Sequence, residues 1–217
     1  MQINIPLACV FGGTFDPPHA GHANLASAVI NLINPEIFCI MPNRIPPHKA
    51  LSTATSEDRL AMCRIFASSL PNATVLENEL KRDGPSYLAD TLTELAEQPE
   101  FSGKRILFVV GADSVEQFHR WSRPELILSI CSLVAVPRPG YSFENAAPWV
   151  KERFTENKEL LKGDPGKIFL ARIPEIDLSS SKLRNTPHLL KNFLSSDIYE
   201  YAACRGLYGL DQMHAVI

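Results

Sequence analysis

Short apolar runs alternate along this chain with longer stretches whose apolar positions recur every three to four residues, the signatures of strands and helices in turn. Residues 7–11 form a β-rich run ending in Gly12-Gly13, and residues 21–32 repeat apolar side chains at helical spacing until Asn34-Pro35 stops them. A second buried strand is predicted over 36–41. The proline-rich segment 42–55 is predicted to be a loop, since each proline removes a backbone donor and keeps its predecessor extended. Residues 56–70 read as a helix with acidic residues in its first turn, and 73–76 as a short strand. A helix is expected over 86–97 with Ser86 as its N-cap, following a sharp turn at Gly84. Strands are expected over 105–110 and 132–136, then a polar helical stretch beyond Gly140 to about residue 161, a strand over 167–171, and helix onward to Gly206.

Strands separated by helices imply an α/β fold, a Rossmann-like doubly wound parallel sheet with helices on both faces. No internal repeat, low-complexity tract or linker divides the chain. All 217 residues are therefore expected to form a single domain, 1–217, with a helical C-terminal portion from about residue 177.

Composition narrows the class further. Hydrophobic residues at 45% and charged residues at 21% suit a chain that folds around a core. A formal charge of -3 argues against coating nucleic acid by bulk electrostatics, yet allows a local basic pocket, so a small phosphorylated partner is expected. The five cysteines are widely spread, without a C-x-x-C pair, and Cys9, Cys39 and Cys131 fall inside predicted strands. Those three are expected to be buried thiols in a reducing cytoplasm, and the five together to form neither a disulfide scaffold nor a zinc site. No apolar run approaches the roughly 18 residues of a membrane span and the first residues lack a secretory pattern, so a cytoplasmic protein without a membrane partner is expected.

The richest segment is Gly12-Gly13-Thr14-Phe15-Asp16-Pro17-Pro18-His19-Ala20-Gly21-His22, between the first strand and the first helix. In a parallel sheet, ligands bind beyond the carboxyl ends of strands. There a glycine turn admits phosphates to the backbone, and a helix N-terminus supplies about half a positive charge. His19 and His22 lie three residues apart at that helix start, so both imidazoles can lean to one face and donate to a single phosphoryl group. The segment is neither a P-loop nor a G-x-G-x-x-G fingerprint. A lone histidine here would read as a surface or capping residue; the pair flanking a glycine makes anion binding the better reading.

This stretch resembles the H-x-G-H signature of the nucleotidyltransferase superfamily related to class I aminoacyl-tRNA synthetases. In the form GGTFDPPHAGH it is most similar to the bacterial nicotinate-nucleotide adenylyltransferases. Further likenesses extend over nearly the whole chain. Pro42-Asn43-Arg44-Ile45-Pro46-Pro47-His48-Lys49 resembles the family's P-N-x-x-P-P-H-K loop, which implies phosphate contacts for His48 and Lys49. Residues 79–92, ELKRDGPSYLADTL, resemble its segment for the nicotinate ring and carboxylate, implying contacts from Ser86, Tyr87 and Leu88. Many members carry threonine where this chain has Leu88, so one hydroxyl contact is missing. Free N–H groups at a helix start would still favour an anionic carboxylate over a carboxamide. Gly111-Ala112-Asp113-Ser114 followed by Phe118 and Trp121 resembles the G-x-D-S...W pattern. It implies adenosine at Gly111 and Asp113, with the pyridine ring stacked on Trp121 and Phe118 nearby. Arg138 stands where the family commonly contacts adenine. Leu178-Ser179-Ser180-Ser181-Lys182-Leu183-Arg184 resembles I-S-S-T-x-I-R, which makes Ser180, Ser181 and Arg184 a second anion cradle, and Gly206-Leu207-Tyr208 resembles the closing segment.

The resemblance implies adenylyl transfer from ATP to nicotinate mononucleotide, a step of NAD biosynthesis. The acceptor phosphate is already an anion, so positioning and charge neutralisation suffice without a strong base or a covalent nucleophile. On this reading His19, His22 and Arg184 are catalytic, and Gly12, Gly13, Thr14 and Phe15 line the ATP phosphates. Mg²⁺ is expected to accompany ATP through phosphate oxygens and water, with no protein-built metal site. Nicotinamide mononucleotide or phosphopantetheine as acceptor, or a nucleotide sensor without catalysis, are the alternatives. Trp121 and Ser86-Tyr87 speak for a pyridine acceptor, and the intact His19, His22 and Arg184 for catalysis. His22→Ala is expected to lower kcat at least about 100-fold, the scale of a lost oxyanion donor, when pyrophosphate release is followed at saturating substrates. Near-normal turnover would refute the role.

Overall fold

A computed structural model describes residues 5–44, 53–138, 140–174 and 178–213; the predicted phosphate contacts His48 and Lys49 lie outside the described residues. In chain order its regular elements are β1 (Leu7–Gly13), α1 (Ala20–Ile33), β2 (Ile37–Pro42), α2 (Ser56–Ser68), β3 (Ala73–Val75), α3 (Asn78–Lys81) and α4 (Leu88–Ala96). These are followed by β4 (Arg105–Gly111), α5 (Ala112–Glu116), α6 (Pro124–Ile130), β5 (Cys131–Val136), α7 (Pro148–Lys151), β6 (Phe154–Thr155) and β7 (Ile168–Leu170). The last are α8 (Ser180–Arg184), α9 (Leu190–Phe193) and α10 (Ser196–Cys204).

Both faces of the sheet are apolar. Along β1, Leu7, Cys9 and Phe11 enter one core cluster while Ala8 and Val10 enter the other, and β4 divides in the same way between Leu107, Val109 and Ile106, Phe108, Val110. A period of two with both sides buried is the pattern of a parallel sheet covered by helices. Helices α1, α2 and α10 cover the first face through Ala26, Val29, Met62, Phe66, Ile198 and Ala202. The second is covered by α4 and α6 through Leu92, Leu95 and Ile127.

The strands run in the order β3-β2-β1-β4-β5-β7-β6. All six neighbouring pairs are parallel, with Val10 set between Cys39 and Phe108 at the centre. The chain winds outward from β1 to β3 and then crosses back to β4. The carboxyl ends of β1 and β4 therefore form the switch point at which adjacent loops part and leave a crevice.

Four expectations are corrected. Helix α4 begins at Leu88, with Tyr87 as N-cap at φ -97° and ψ 121°, and Ser86 does not cap it. The Ser86 hydroxyl instead accepts the Arg44 N–H at 3.2 Å and bonds to Glu79, so a tertiary partner displaces the local cap. The stretch beyond Gly140 is not one helix. Phe154 and Thr155 pair with Ile168 and Phe169 of β7, which commits their backbone groups to the sheet and leaves α7 as a single turn. The C-terminal portion is likewise broken, by Pro187 and by a fresh N-cap at Ser195, whose hydroxyl accepts from Ile198 N–H at 3.4 Å. The first strand also runs two residues further than expected, with Gly12 and Gly13 paired to Met41 and Pro42.

Leu107 is fully buried in the central strand β4. Leu107→Ala is expected to lower the unfolding free energy by about 2–5 kcal/mol in urea denaturation with an unchanged m-value, the cost of lost burial plus a residual cavity.

Candidate active site

A buried carboxylate holds the loop between β1 and α1. Asp16 is 1% exposed. Its Oδ2 accepts the Thr53 N–H at 2.8 Å, and its Oδ1 accepts the Tyr208 hydroxyl at 2.8 Å and the Ala54 N–H at 3.2 Å. The Thr53 hydroxyl adds a contact at 3.1 Å. Arg59, also 1% exposed, donates to the carbonyls of Thr14 at 2.9 Å, Asn43 at 2.6 Å and Arg44 at 3.3 Å. These two groups fasten the chain leaving β2, and the chain entering α2, to the loop that follows β1.

That loop ends in His19, the N-cap of α1. The His19 and His22 rings stack with centroids 3.8 Å apart at an interplanar angle of 36°. A Cβ at Gly21 would lie 2.9 Å from His19 Cε1, so only glycine between them lets the first imidazole fold over the helix start. His22 Nδ1 accepts the His19 N–H at 3.2 Å, which assigns the proton of the neutral ring to Nε2. Burial pulls the His19 pKa from 6.5 to about 4; a backbone hydrogen bond opposes this, and the charge of Arg138 adds to it. Beyond that contact with its own backbone, neither buried ring nitrogen of His19 has a hydrogen-bond partner among the described residues, and a ligand's oxygen would complete the arrangement. The first turn of α1 carries no acidic residue that would oppose an anion.

Opposite this loop, β4 ends at Gly111 and Arg138 follows β5. A Cβ at Gly111 would meet Asp113 Oδ1 at 2.4 Å and Arg138 Nε at 2.8 Å, so the missing side chain lets those two approach to 3.4 Å across the strand end. The C-terminal serine-arginine turn docks on the histidine loop. Ser180 Oγ donates to the Pro17 carbonyl at 3.0 Å, and Arg184 donates from Nη1 to the Asp16 carbonyl at 2.6 Å and from Nη2 to Ser181 Oγ at 3.2 Å. Ser179, not the serines after it, caps α8.

Gly12, Gly13, Thr14, His19, His22, Gly111, Asp113, Arg138, Ser180, Ser181 and Arg184 thus gather around the carboxyl ends of β1, β4 and β5. Other predicted residues stand differently. The Phe15 ring is 1% exposed, edge-on to Phe11 at 5.4 Å and 5.0 Å from the His22 ring, so it supports the imidazole from the core and leaves only its backbone to line a phosphate site. Phe118 is fully buried at 5.4 Å from Trp121, where it backs that ring instead of meeting a ligand. Leu88 packs into the core, while Tyr87 is 40% exposed. Trp121 keeps partial exposure, and the neighbouring Arg123 is tied by an ion pair to Asp90 in the first turn of α4. A separate hollow of about 340 Å³, lined by Glu125, Trp149, Arg153 and Asp164 among others, lies beside the segments that precede β5 and β7 and contains none of these groups.

Sequence reasoning missed Asp16, Arg59, Asp58 and Tyr208. Asp58 is buried and accepts from Thr55 Oγ1 at 2.7 Å, Arg205 Nε at 2.9 Å and Tyr201 at 3.0 Å. Burial by itself would raise its pKa, but those bonds hold it below the usual carboxylate value. Arg59 left a readable signal, because at helical spacing it shares the buried face of Met62, Cys63 and Phe66.

A family model described as cytidylyltransferase-like matches residues 10–186. The probable nicotinate-nucleotide adenylyltransferase of Shigella boydii serotype 18 is 36% identical over 210 residues, covering 93% of this chain and 98% of the relative. Its counterpart from Escherichia coli O17:K52:H18 aligns with the same identity and coverage. Among solved structures, the Plasmodium falciparum nicotinic acid mononucleotide adenylyltransferase complexed with NaAD has the same fold at TM-score 0.69 and 18% identity, covering 94% of this chain and 98% of that one. A putative nicotinate-nucleotide adenylyltransferase from Vibrio parahaemolyticus follows at TM-score 0.59 and 16% identity, covering 94% of this chain and 95% of that one.

The buried imidazole has a consequence for acid stability. The unfolded chain protonates His19 below about pH 6.5, whereas the folded protein resists until about pH 4, so its stabilising contribution is full above pH 6.5 and is lost as pH falls toward 4. Urea unfolding across that window is expected to show a loss of up to about 3 kcal/mol that is absent in His19→Asn. Parallel profiles for the two proteins would show that His19 does not titrate as assigned.

Proposed function

Because the chain belongs to the nicotinate-nucleotide adenylyltransferases within the cytidylyltransferase-like family, we propose that it transfers the adenylyl group of ATP to nicotinate mononucleotide. The products are nicotinate adenine dinucleotide and pyrophosphate, and the reaction is a step of NAD biosynthesis. NaAD, held by the Plasmodium falciparum structure, corresponds to that product.

The docking of α8 on the histidine loop carries the reading, through Arg184 on the Asp16 carbonyl and Ser180 on that of Pro17. It sets a guanidinium and two imidazoles beside one strand end. That is the complement for a reaction whose difficulty is charge on phosphoryl oxygens. The acceptor phosphate attacks the α-phosphorus in line, the bond from that phosphorus to the bridging oxygen breaks, and pyrophosphate leaves with the electron pair. His22 donates from Nε2 to an α-phosphoryl oxygen and His19 donates alongside it, a polyanion's approach raising its proton affinity again. Arg184 meets the departing pyrophosphate together with Ser181, whose hydroxyl proton is not engaged by Arg184. Ser180 acts chiefly as a tether, since its proton is committed to Pro17.

Asp113 and Gly111 take the adenosine and Arg138 the adenine edge. Tyr87 and Trp121 take the pyridine ring, with backbone N–H groups at the start of α4 for its carboxylate. Ser86 contributes by fixing Arg44, not by direct contact. Among the described residues no three histidine, cysteine, aspartate or glutamate side chains gather as metal ligands. Mg²⁺ would be carried on ATP through phosphate oxygens and water, where it would neutralise phosphate charge. No helix among the described residues is long and apolar enough to cross a membrane, and four buried unpaired thiols suit a reducing cytoplasm.

With Mg-ATP and, separately, nicotinate mononucleotide, nicotinamide mononucleotide and phosphopantetheine, pyrophosphate release is expected to favour the first acceptor by about tenfold or more in kcat/KM, the scale of a carboxylate at a helix N-terminus. Equal rates for acid and amide would overturn the reading of α4. No pyrophosphate from any acceptor would overturn the reaction.

A further inference from the structure

Tyr208 occupies a left-handed backbone conformation (φ 57°, ψ 23°) and is followed by Gly209 at φ 75°. A non-glycine residue is strained there, so the side chain's partners must hold it. The phenol reaches back 192 positions to donate to Asp16 Oδ1 at 2.8 Å, with Met62 Sδ 4.0 Å from the same hydroxyl oxygen. The turn is presented from a firm base, since Tyr201 and Arg205 of the preceding segment are both bonded to the buried Asp58. Burial, and then the charge of Asp16, push the phenol pKa up, so the group remains a donor throughout the neutral range.

Arg184 is bonded to the Asp16 carbonyl at 2.6 Å but stands 3.7 Å from the carboxylate Oδ2. The carboxylate is therefore close enough to capture the guanidinium in a tight ion pair, which would cancel the charge that the leaving phosphates need. Its other donors are Thr53 and Ala54, and Tyr208 is the donor that closes the set from the C-terminal side. We propose that Tyr208 is a positioning residue for adenylyl transfer: by holding Asp16 Oδ1 it fixes the orientation of the carboxylate, so that Oδ2 stays on Thr53 at 2.8 Å and 3.7 Å from Arg184, whose guanidinium remains on the Asp16 carbonyl and available to the departing pyrophosphate. This role rests on the reaction proposed above.

Tyr208→Phe removes the hydroxyl and retains the ring beside Met62. It is expected to lower kcat about tenfold with both KM values within about twofold of wild type, the pattern of an interaction realised in the transition state. In an Arg184→Ala background the same substitution is expected to change kcat by less than about twofold, because the group it acts through is gone. Thermal denaturation of all four proteins accompanies the kinetics. A Tyr208→Phe variant with wild-type kcat, or an effect that multiplies undiminished with Arg184→Ala, overturns the role while leaving the reaction standing. A wild-type protein that releases no pyrophosphate from ATP and nicotinate mononucleotide overturns both.

Discussion

An ionised carboxylate cannot be taken out of water unless donors replace the water it loses, and Asp16 at 1% exposure imposes that demand at the centre of this molecule. Its donors come from the segment before α2 and from Tyr208 in the turn that follows α10, with the Arg184 guanidinium nearby. Arg59 creates the mirror-image demand, a buried cation whose Nη1 and Nη2 are met by carbonyls from the loops after β1 and β2. Leaving either charge unmet would cost several kcal/mol, a large part of a domain's net stability. The same contacts that make burial tolerable therefore set the site's loops relative to one another, and assembling the fold assembles the site.

Hydrogen-bond donors converge at this site in a chain whose formal charge is -3. Two imidazoles, the acid-free start of α1 and the guanidiniums of Arg138 and Arg184 lie near one strand end. Keeping His19 neutral until a polyanion arrives avoids the repulsion that a buried imidazolium would suffer beside Arg138. Groups already oriented in this way need little reorganisation as charge shifts from the α-phosphoryl group to the leaving pyrophosphate.

Strand order determines which loops can cooperate. Because β1 lies between β2 and β4, the histidine loop is flanked on one side by the chain leaving β2 and on the other by Gly111 and Asp113. The segment after β7 then returns across the first face of the sheet, so that α8 reaches Asp16 and Pro17 from the side opposite α4. The groups proposed for the phosphates and those proposed for the acceptor thus come from opposite sides of the switch point.

The sequence by itself determined the alternation of buried strands and helices, the placement of His19 and His22 at a helix start after a strand, and the likeness of five separated segments to a family that uses such loops. These are legible because periodicity, glycine turns and short-range spacing are properties of neighbouring residues. Only the tertiary structure decided that Ser86 bonds Arg44 instead of capping α4, that Phe154 and Thr155 join the sheet, and that Phe15 and Phe118 belong to the core. The same holds for Asp16, whose partners Thr53 and Tyr208 lie 37 and 192 residues away. A buried polar group takes whichever partner the completed packing brings within 3 Å or so, and that choice does not exist until the strands have found their order.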